Sequence, residues 1–206
     1  MNEKIILIGG SPRSGKTTFA KALSQKLDCE RISIDDLRKS EIERLGKEKS
    51  LEEFVFERVY DNNDDFFQKY SPEEILEFEM QDAKALWSII EEIIQSKLNQ
   101  NSPTIIEGVQ LFPELLEKYK NNPEIKIFLL YKKDKDLIAE GFHKNEDADD
   151  WLLNNTHNPK TFEHVAETFS LYGDFFEREA KKHDFVAINT EEDFEDKIKQ
   201  LLDRLG

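Results

Sequence analysis

The feature that most constrains the fold is a short apolar run followed by a glycine-rich loop near the N-terminus. Residues 5–8 are Ile-Ile-Leu-Ile, an aliphatic run typical of a strand that is buried on both faces. Residues 10–17 follow and match G-x-x-x-x-G-K-[ST], the Walker A pattern of a loop that cradles phosphate groups. From Gly15 onward apolar residues recur at helical spacing. This order suits an anion, because curled backbone amides and a helix start both present positive charge to it.

The loop predicts a nucleotide site. Lys16 can reach the outer phosphates of a nucleoside triphosphate, and the Thr17 hydroxyl can ligate Mg²⁺. We therefore predict ATP and Mg²⁺ as cofactors. The alternative is a glycine turn with a surface lysine, and the flanking strand and helix argue against it. The residues expected to contact the nucleotide are Gly10, Ser11, Pro12, Arg13, Ser14, Gly15, Lys16, Thr17 and Thr18.

The rest of the chain alternates between strand and helix patterns. Apolar runs that predict strands occur at residues 31–34, 104–108, 126–131 and 185–188. Helical patterns separate them, and Ser71-Pro72-Glu73-Glu74 is a clear helix start. Five strands alternating with helices predict an α/β fold in three layers, a five-stranded parallel sheet with helices on both faces. No linker or repeat interrupts the pattern, so we expect residues 1–206 to form a single domain.

Composition disfavours several classes of partner. The chain has 44 acidic and 29 basic residues and a net charge of −15, which repels nucleic acids and anionic membranes. No apolar run approaches the ~20 residues that a membrane span needs, and the first strand begins too early to leave room for a signal peptide. The single cysteine, Cys29, excludes an internal disulfide and suits a reducing compartment. We expect a cytoplasmic protein; its oligomeric state stays open.

A second set of charged residues follows the second predicted strand. Asp35 and Arg38 are three residues apart, so one helix face can present a carboxylate and a guanidinium together. This pair suits phosphoryl transfer, because the carboxylate can take the proton of an acceptor hydroxyl while the arginine stabilises anionic oxygens. The alternative is a helix cap, formed by Asp35 or Ser33, with a surface ion pair. The predicted catalytic residues are Lys16, Asp35 and Arg38.

Two further acids are candidates for the metal site. Glu107 ends the third predicted strand, where an acid supports Mg²⁺ in phosphate-loop proteins; the alternative is an exposed strand-end glutamate. Asp36 is either a structural partner or a ligand of Mg²⁺ through water. The predicted metal residues are Thr17, Asp36 and Glu107.

These motifs together resemble the P-loop kinases of small molecules. That superfamily includes adenylate-kinase-like enzymes, polynucleotide 5′-kinases, zeta toxins and 2-phosphoglycerate kinases. Asp-Asp-x-Arg at residues 35–38 is similar to the polynucleotide and zeta-toxin kinases, in which the first aspartate is the base, a role that corresponds to Asp35. Ile-Glu-Gly-Val at residues 106–109, with Pro113 nearby, resembles 2-phosphoglycerate kinase. The resemblance implies a P-loop NTPase fold of the nucleoside-monophosphate-kinase type.

The chain departs from this family before its last long helix. Adenylate-kinase-like enzymes close an arginine-bearing lid there, whereas residues 132–160 contain no arginine. We expect residues 132–160 to be a lid-like segment, residues 36–100 to be a helical acceptor-binding region, and the acids of residues 146–150 to lie in a solvated loop. The cations that could replace the lid arginines, or be ordinary surface charges, are Arg13, His143, Lys144 and Arg178.

The leading interpretation is an ATP- and Mg²⁺-dependent kinase that transfers the γ-phosphoryl group to a hydroxyl of a small metabolite or nucleotide. Its partners would be a nucleoside triphosphate and a small-molecule acceptor, with Asp35 as base and Arg38 as the anchor of an anionic part of that acceptor. The rival is a nucleotide-binding switch or hydrolase without an acceptor, which the arginine-free segment favours. A kinase of nucleic-acid ends is disfavoured by the net charge.

Overall fold

A computed structural model describes residues 4–100, 103–142 and 150–205. One parallel sheet holds five strands, β1 Ile5–Gly10, β2 Glu30–Ser33, β3 Thr104–Glu107, β4 Ile125–Tyr131 and β5 Ala187–Asn189. Their order in the sheet is β2-β3-β1-β4-β5. The β1 strand lies at its centre, and all six of its residues are buried, as its aliphatic sequence predicts.

Helices cover both faces of this sheet. The helices are α1 Lys16–Leu27, α2 Ile34–Glu53, α3 Val55–Val59, α4 Asn63–Lys69, α5 Pro72–Gln100, α6 Pro113–Leu116, α7 Lys135–Gly141, α8 Trp151–Asn155, α9 Pro159–Lys182 and α10 Phe194–Leu205. Because successive strand residues point to opposite sides, Ile6 and Ile8 pack in one apolar cluster with α1 and α10, while Ile5 and Leu7 pack in another with α5 and α9. The predicted three-layer P-loop fold is confirmed.

The start of the helical region differs from the prediction in one place. The sequence predicts a helix that ends at Gly46 and another that begins at a capping box on Ser50. Instead Gly46, with φ 75°, is a kink inside α2, and Ser50 is buried within the helix with its hydroxyl donating to the Lys47 carbonyl. The break comes at Phe54, after which the Val55 N–H donates to the buried Asp82 carboxylate at 2.6 Å. A partner 27 residues away thus sets this boundary.

Helix α4, which lies within residues 36–100, is hydrogen-bonded to the segment that precedes α9. Asn63 is fully buried, and its Nδ2 donates to Thr156 Oγ1 at 2.9 Å and to the Trp151 carbonyl at 3.2 Å. Asp64 accepts from the backbone of His157 and from the Thr161 hydroxyl. Within the described part of the chain, no helix is both long and apolar enough to span a membrane.

Candidate nucleotide and acceptor site

The loop between β1 and α1 requires glycine at two positions. Gly10 has φ 132° and Gly15 has φ 88°, both in the region that favours glycine. A Cβ on Gly10 would overlap the Leu130 carbonyl, and one on Gly15 would overlap the ring of Phe194. The glycines of the motif therefore allow the backbone to curl while β4 and α10 pack directly against it.

Lys16 is a buried cation inside this loop. Lys16 is only 8% exposed, and its Nζ donates to the Ser11 carbonyl at 2.6 Å. Burial lowers the pKa of Lys16 from 10.5 to about 8, although Glu107, Asp35 and Glu79 act in the opposite direction. An anion placed at the loop would stabilise the charged form, which is the electrostatic requirement of a phosphate site.

Thr17 and Glu107 lie together beside Lys16. The Thr17 hydroxyl is 3.2 Å from Glu107 Oε2, and Arg31 donates to Glu107 Oε1 at 2.5 Å. Glu107 is 4% exposed; burial raises its pKa, and the charges of Lys16 and Arg31 counteract that rise. The alternative of an exposed strand-end glutamate is therefore wrong for Glu107. The contact of Arg31, on β2, with Glu107 was not predicted from the sequence.

The chemistry of these oxygens fits Mg²⁺. A hydroxyl and a carboxylate side by side are hard ligands, and Mg²⁺ in phosphate sites takes only one or two of them from the protein, with phosphate oxygens and water as the others. Across the described ranges, no three His, Cys, Asp or Glu side chains are grouped so that they could hold a metal ion by themselves. Thr17 and Glu107 would thus form a partial site that a nucleotide completes.

Asp36 lies apart from that pair. Its carboxylate is 71% exposed and 3.9 Å from Lys39 Nζ, on the solvent side of α2. Its backbone N–H donates to the Ser33 hydroxyl, so Ser33 is the residue that caps this helix. A metal role for Asp36 stays a prediction, and none of its contacts supports it.

Asp35 belongs to a second group, which faces the loop from α2. The Gln110 amide Nε2 donates to Asp35 Oδ1 at 3.3 Å and to Glu79 Oε1 at 2.8 Å. Asp35 also acts electrostatically on both Lys16 and Glu107, so its charge lies near the phosphate loop. Burial, with repulsion from Asp35 and Asp82, raises the pKa of Glu79 to about 8. Sequence reasoning missed Glu79 and Gln110.

Arg38 is engaged by other acids rather than by Asp35. Its guanidinium donates to Asp82 Oδ2 at 3.1 Å and to Glu57 Oε1 at 3.3 Å, and lies 5.3 Å from the Phe54 ring centroid. Asp82 is fully buried, and burial raises its pKa against the opposing effect of Arg38 and backbone donors. The sequence suggested a surface ion pair between Asp35 and Arg38, but Arg38 instead bonds Glu57 on α3 and Asp82 on α5. The anchoring role predicted for Arg38 stays a prediction.

The expectation of a solvated loop at residues 146–150 is wrong for Asp150. Arg13 donates to Asp150 Oδ1 at 2.6 Å, and the Asp150 side chain is only 5% exposed. Asp150 also caps α8 by accepting from the backbone N–H groups of Leu152 and Leu153. The remaining acids of residues 146–150, together with the candidate cations His143 and Lys144, fall on residues 143–149, outside the described residues. Arg178 bonds the neighbouring Glu179 on α9.

Comparison with known proteins identifies the family. A sequence-family profile described as an AAA domain matches residues 5–119, more than half of the chain. The chain belongs to this AAA-domain family. A search of curated proteins gives no match.

Solved structures agree with the fold. Shikimate kinase from Bacteroides thetaiotaomicron is 17% identical, with a TM-score of 0.51 and coverage of 98% of this chain and 97% of that one. Dephospho-CoA kinase from Campylobacter jejuni is 17% identical, with a TM-score of 0.51 and coverage of 98% and 95%. This AAA-domain protein therefore has the fold of P-loop small-molecule kinases, and the predicted resemblance is confirmed.

Proposed function

We propose that this protein is an ATP- and Mg²⁺-dependent kinase that phosphorylates a hydroxyl of a small molecule. The observation that carries the proposal is the position of Asp35. It lies close enough to Lys16 and Glu107 to act on the pKa of both, yet Ser33 caps its helix and no ion pair of Asp35 is among the described contacts. A carboxylate beside a phosphate loop, bound by the neutral amide of Gln110 and not by a cation, is suited to act as a base.

The chain's residues would divide the reaction between them. Lys16 and the loop amides would hold the β- and γ-phosphates of ATP. Thr17 and Glu107 would hold Mg²⁺, which supplies charge neutralisation at the phosphate oxygens. Asp35 would accept the proton of the acceptor hydroxyl as that oxygen bonds to the γ-phosphorus. The bond from this phosphorus to the β–γ bridging oxygen breaks, and ADP leaves with the electron pair.

The proposed partners are accordingly a nucleoside triphosphate and a small acceptor. A cytoplasmic location, and the exclusion of membranes and nucleic acids as partners, are supported by the single cysteine and the net charge of −15. Residues 36–100 would provide the acceptor-binding region, supported by the position of Glu79 and Arg38 around Asp35. Arg13, which lies in the phosphate loop and is held by Asp150, would serve where the sequence lacks lid arginines.

The substitution Asp35→Asn tests the proposal. It preserves size and hydrogen bonding but cannot take a proton, so phosphotransfer should fall by about 10²–10⁴-fold. Affinity for Mg-ATP and melting temperature should stay unchanged, since Ser33 caps the helix. The measurement is transfer of labelled γ-phosphate to a panel of hydroxyl compounds, with calorimetry and thermal melts in parallel.

Glu43→Gln, an exposed change on the same helix, is the matched control and should match the wild type. The proposal fails if the wild type hydrolyses ATP without phosphorylating any acceptor and Asp35→Asn behaves identically. That result would favour a nucleotide-dependent switch or hydrolase.

A further inference from the structure

We propose that the acceptor is a hydroxyl compound bearing an ammonium group, as in an amino sugar or amino alcohol, and that Glu79 and Gln110 bind this cation beside Asp35. The inference rests on the proposed kinase function and adds the charge class of the acceptor. The inference depends on the group of side chains around Asp35, which we name the acceptor cluster. Its members are Asp35, Arg38, Glu57, Glu79, Asp82 and Gln110.

The one cation of this cluster is already neutralised. Arg38 donates to Asp82 and to Glu57, and its guanidinium lies over the rings of Phe54 and Phe56. Turning Arg38 toward an anionic acceptor would leave the Asp82 carboxylate buried without its charge partner, which is strongly unfavourable. The geometry therefore opposes the use of Arg38 as an anchor for a carboxylate or phosphate.

The two other carboxylates share a single neutral partner. Gln110 Nε2 is bonded to both Glu79 and Asp35, and the repulsion of Asp35 and Asp82 adds to burial in keeping Glu79 protonated at neutral pH. An acceptor with a negative charge would add to this repulsion. An ammonium group would relieve it, because opposite charges within a few ångströms favour the ionised form of a carboxyl group.

A separate observation indicates a donor group in the ligand. Gln110 is 3% exposed, and its amide oxygen has no hydrogen-bond donor among the described residues. Buried amide oxygens in folded proteins are almost always paired. An N–H or O–H donor of the acceptor would complete the amide whose nitrogen already bridges Glu79 and Asp35.

The surroundings of Glu79 favour an organic cation over a metal ion. In residues 4–100, 103–142 and 150–205 no group of three ligating side chains is arranged for a metal. The charged or titratable groups that act with Glu79 are Asp35 and Arg38 on α2, Asp82 on α5, Tyr172 on α9 and Lys16 in the loop. Lys16 is assigned to the phosphates, so these neighbours leave the acceptor side negative.

A matched set of compounds tests the charge class. Serinol, glycerol and glycerate share a three-carbon skeleton, as glucosamine, glucose and glucuronate share a hexose ring, and each set offers a cationic, a neutral and an anionic member. Transfer of labelled γ-phosphate from Mg-ATP is measured for the wild type and for Glu79→Gln. Glu77→Gln, an exposed change on the same helix, is the control. Calorimetric binding to the protein–Mg-ADP complex provides a second readout.

Cationic members should have KM values at least about tenfold below those of the neutral and anionic members of their sets. Glu79→Gln should raise the KM of cationic members by about tenfold with a smaller change in kcat, while Glu77→Gln changes neither. In the wild type, the affinity for serinol should rise by about tenfold between pH 6 and 7.5, because the ammonium group binds the ionised form of Glu79 and removing its proton costs less as the pH approaches its pKa of about 8. The affinity for glycerol should not change. This pH comparison needs no variant.

Preference for neutral or anionic members, or a serinol affinity that is independent of pH and of Glu79, would overturn the inference while leaving the kinase proposal in place. ATP hydrolysis without transfer to any member, at a rate that Asp35→Asn leaves unchanged, would overturn the kinase proposal, and this inference with it. The two failures are thus distinguishable.

Discussion

At the scale of single residues, the candidate site depends on charges held away from water. Lys16 is nearly buried, and its pKa is lowered to about 8 by that burial. A buried ammonium is costly unless an anion accompanies it. The protein thus carries a lysine whose charged form is stabilised by the ligand that we propose it binds.

The affinity for Mg-ATP should accordingly depend on pH. The free protein loses the Lys16 proton around pH 8, whereas bound phosphates favour the charged form and raise this pKa. Affinity should therefore be steady below pH 8 and fall above it, by up to about tenfold per pH unit. Calorimetric titrations from pH 7 to 9.5 measure this, with Lys16→Met as the variant that removes the slope. A wild-type affinity that is flat up to pH 9.5 would contradict the assignment.

Individual residues were predictable from the sequence only where the chemistry is local. The spacing of Gly10, Gly15 and Lys16 predicts a curled glycine loop, because these residues lie close together in the chain. Glu79 and Gln110 lie 31 residues apart and meet Asp35 only through packing of α2, α5 and the turn after β3. No motif connects them, so the sequence alone could not place them.

At the scale of elements, a buried polar joint outside the site connects α4 to α8. Asn63 bonds Thr156 and the Trp151 carbonyl, accepts from the Tyr60 hydroxyl, and is fully buried. It connects the proposed acceptor-binding region to the segment that also supplies Asp150 to Arg13. The position of one region is therefore tied to that of the other.

The substitution Asn63→Ala should destabilise the protein by about 2–3 kcal/mol, because it leaves the buried Thr156 hydroxyl and the Tyr60 hydroxyl without this partner. Equilibrium unfolding in urea measures the change. Gln68→Ala, an exposed change on the same helix, should remain within about 0.5 kcal/mol of the wild type. A similar small effect for Asn63→Ala would show that this joint does not stabilise the fold.

The sequence predicted most elements but not this joint. Nearly continuous apolar runs such as residues 5–8 and 126–131 indicate strands, because a strand of a covered parallel sheet is buried on both faces. In the sequence, the pair Asn62-Asn63 indicates only an interruption of the helical pattern. In the structure, Asn62 caps α4, and Asn63 bonds Thr156, which lies 93 positions away. Ser50 was misassigned for the same reason, since Asp82 on α5 determines where α2 gives way to α3.

At the scale of the whole molecule, the proposed function requires a strongly acidic protein to bind an acidic ligand. The net charge of −15 repels ATP at long range, so binding depends on a local concentration of donors. The loop after β1, the start of α1 and Lys16 provide that concentration at the carboxyl edge of the sheet. The proposed kinase reaction requires Mg-ATP to occupy that position.

The most direct test is a calorimetric titration of Mg-ATP into the wild type, Lys16→Ala and Lys21→Ala. Lys21 is an exposed lysine on α1, so its removal changes the net charge equally without touching the loop. We expect Lys16→Ala to lose about 10–100-fold in affinity, which corresponds to one charge-assisted contact to phosphate, while Lys21→Ala matches the wild type. Equal affinities in all three proteins would contradict the nucleotide site at residues 10–18.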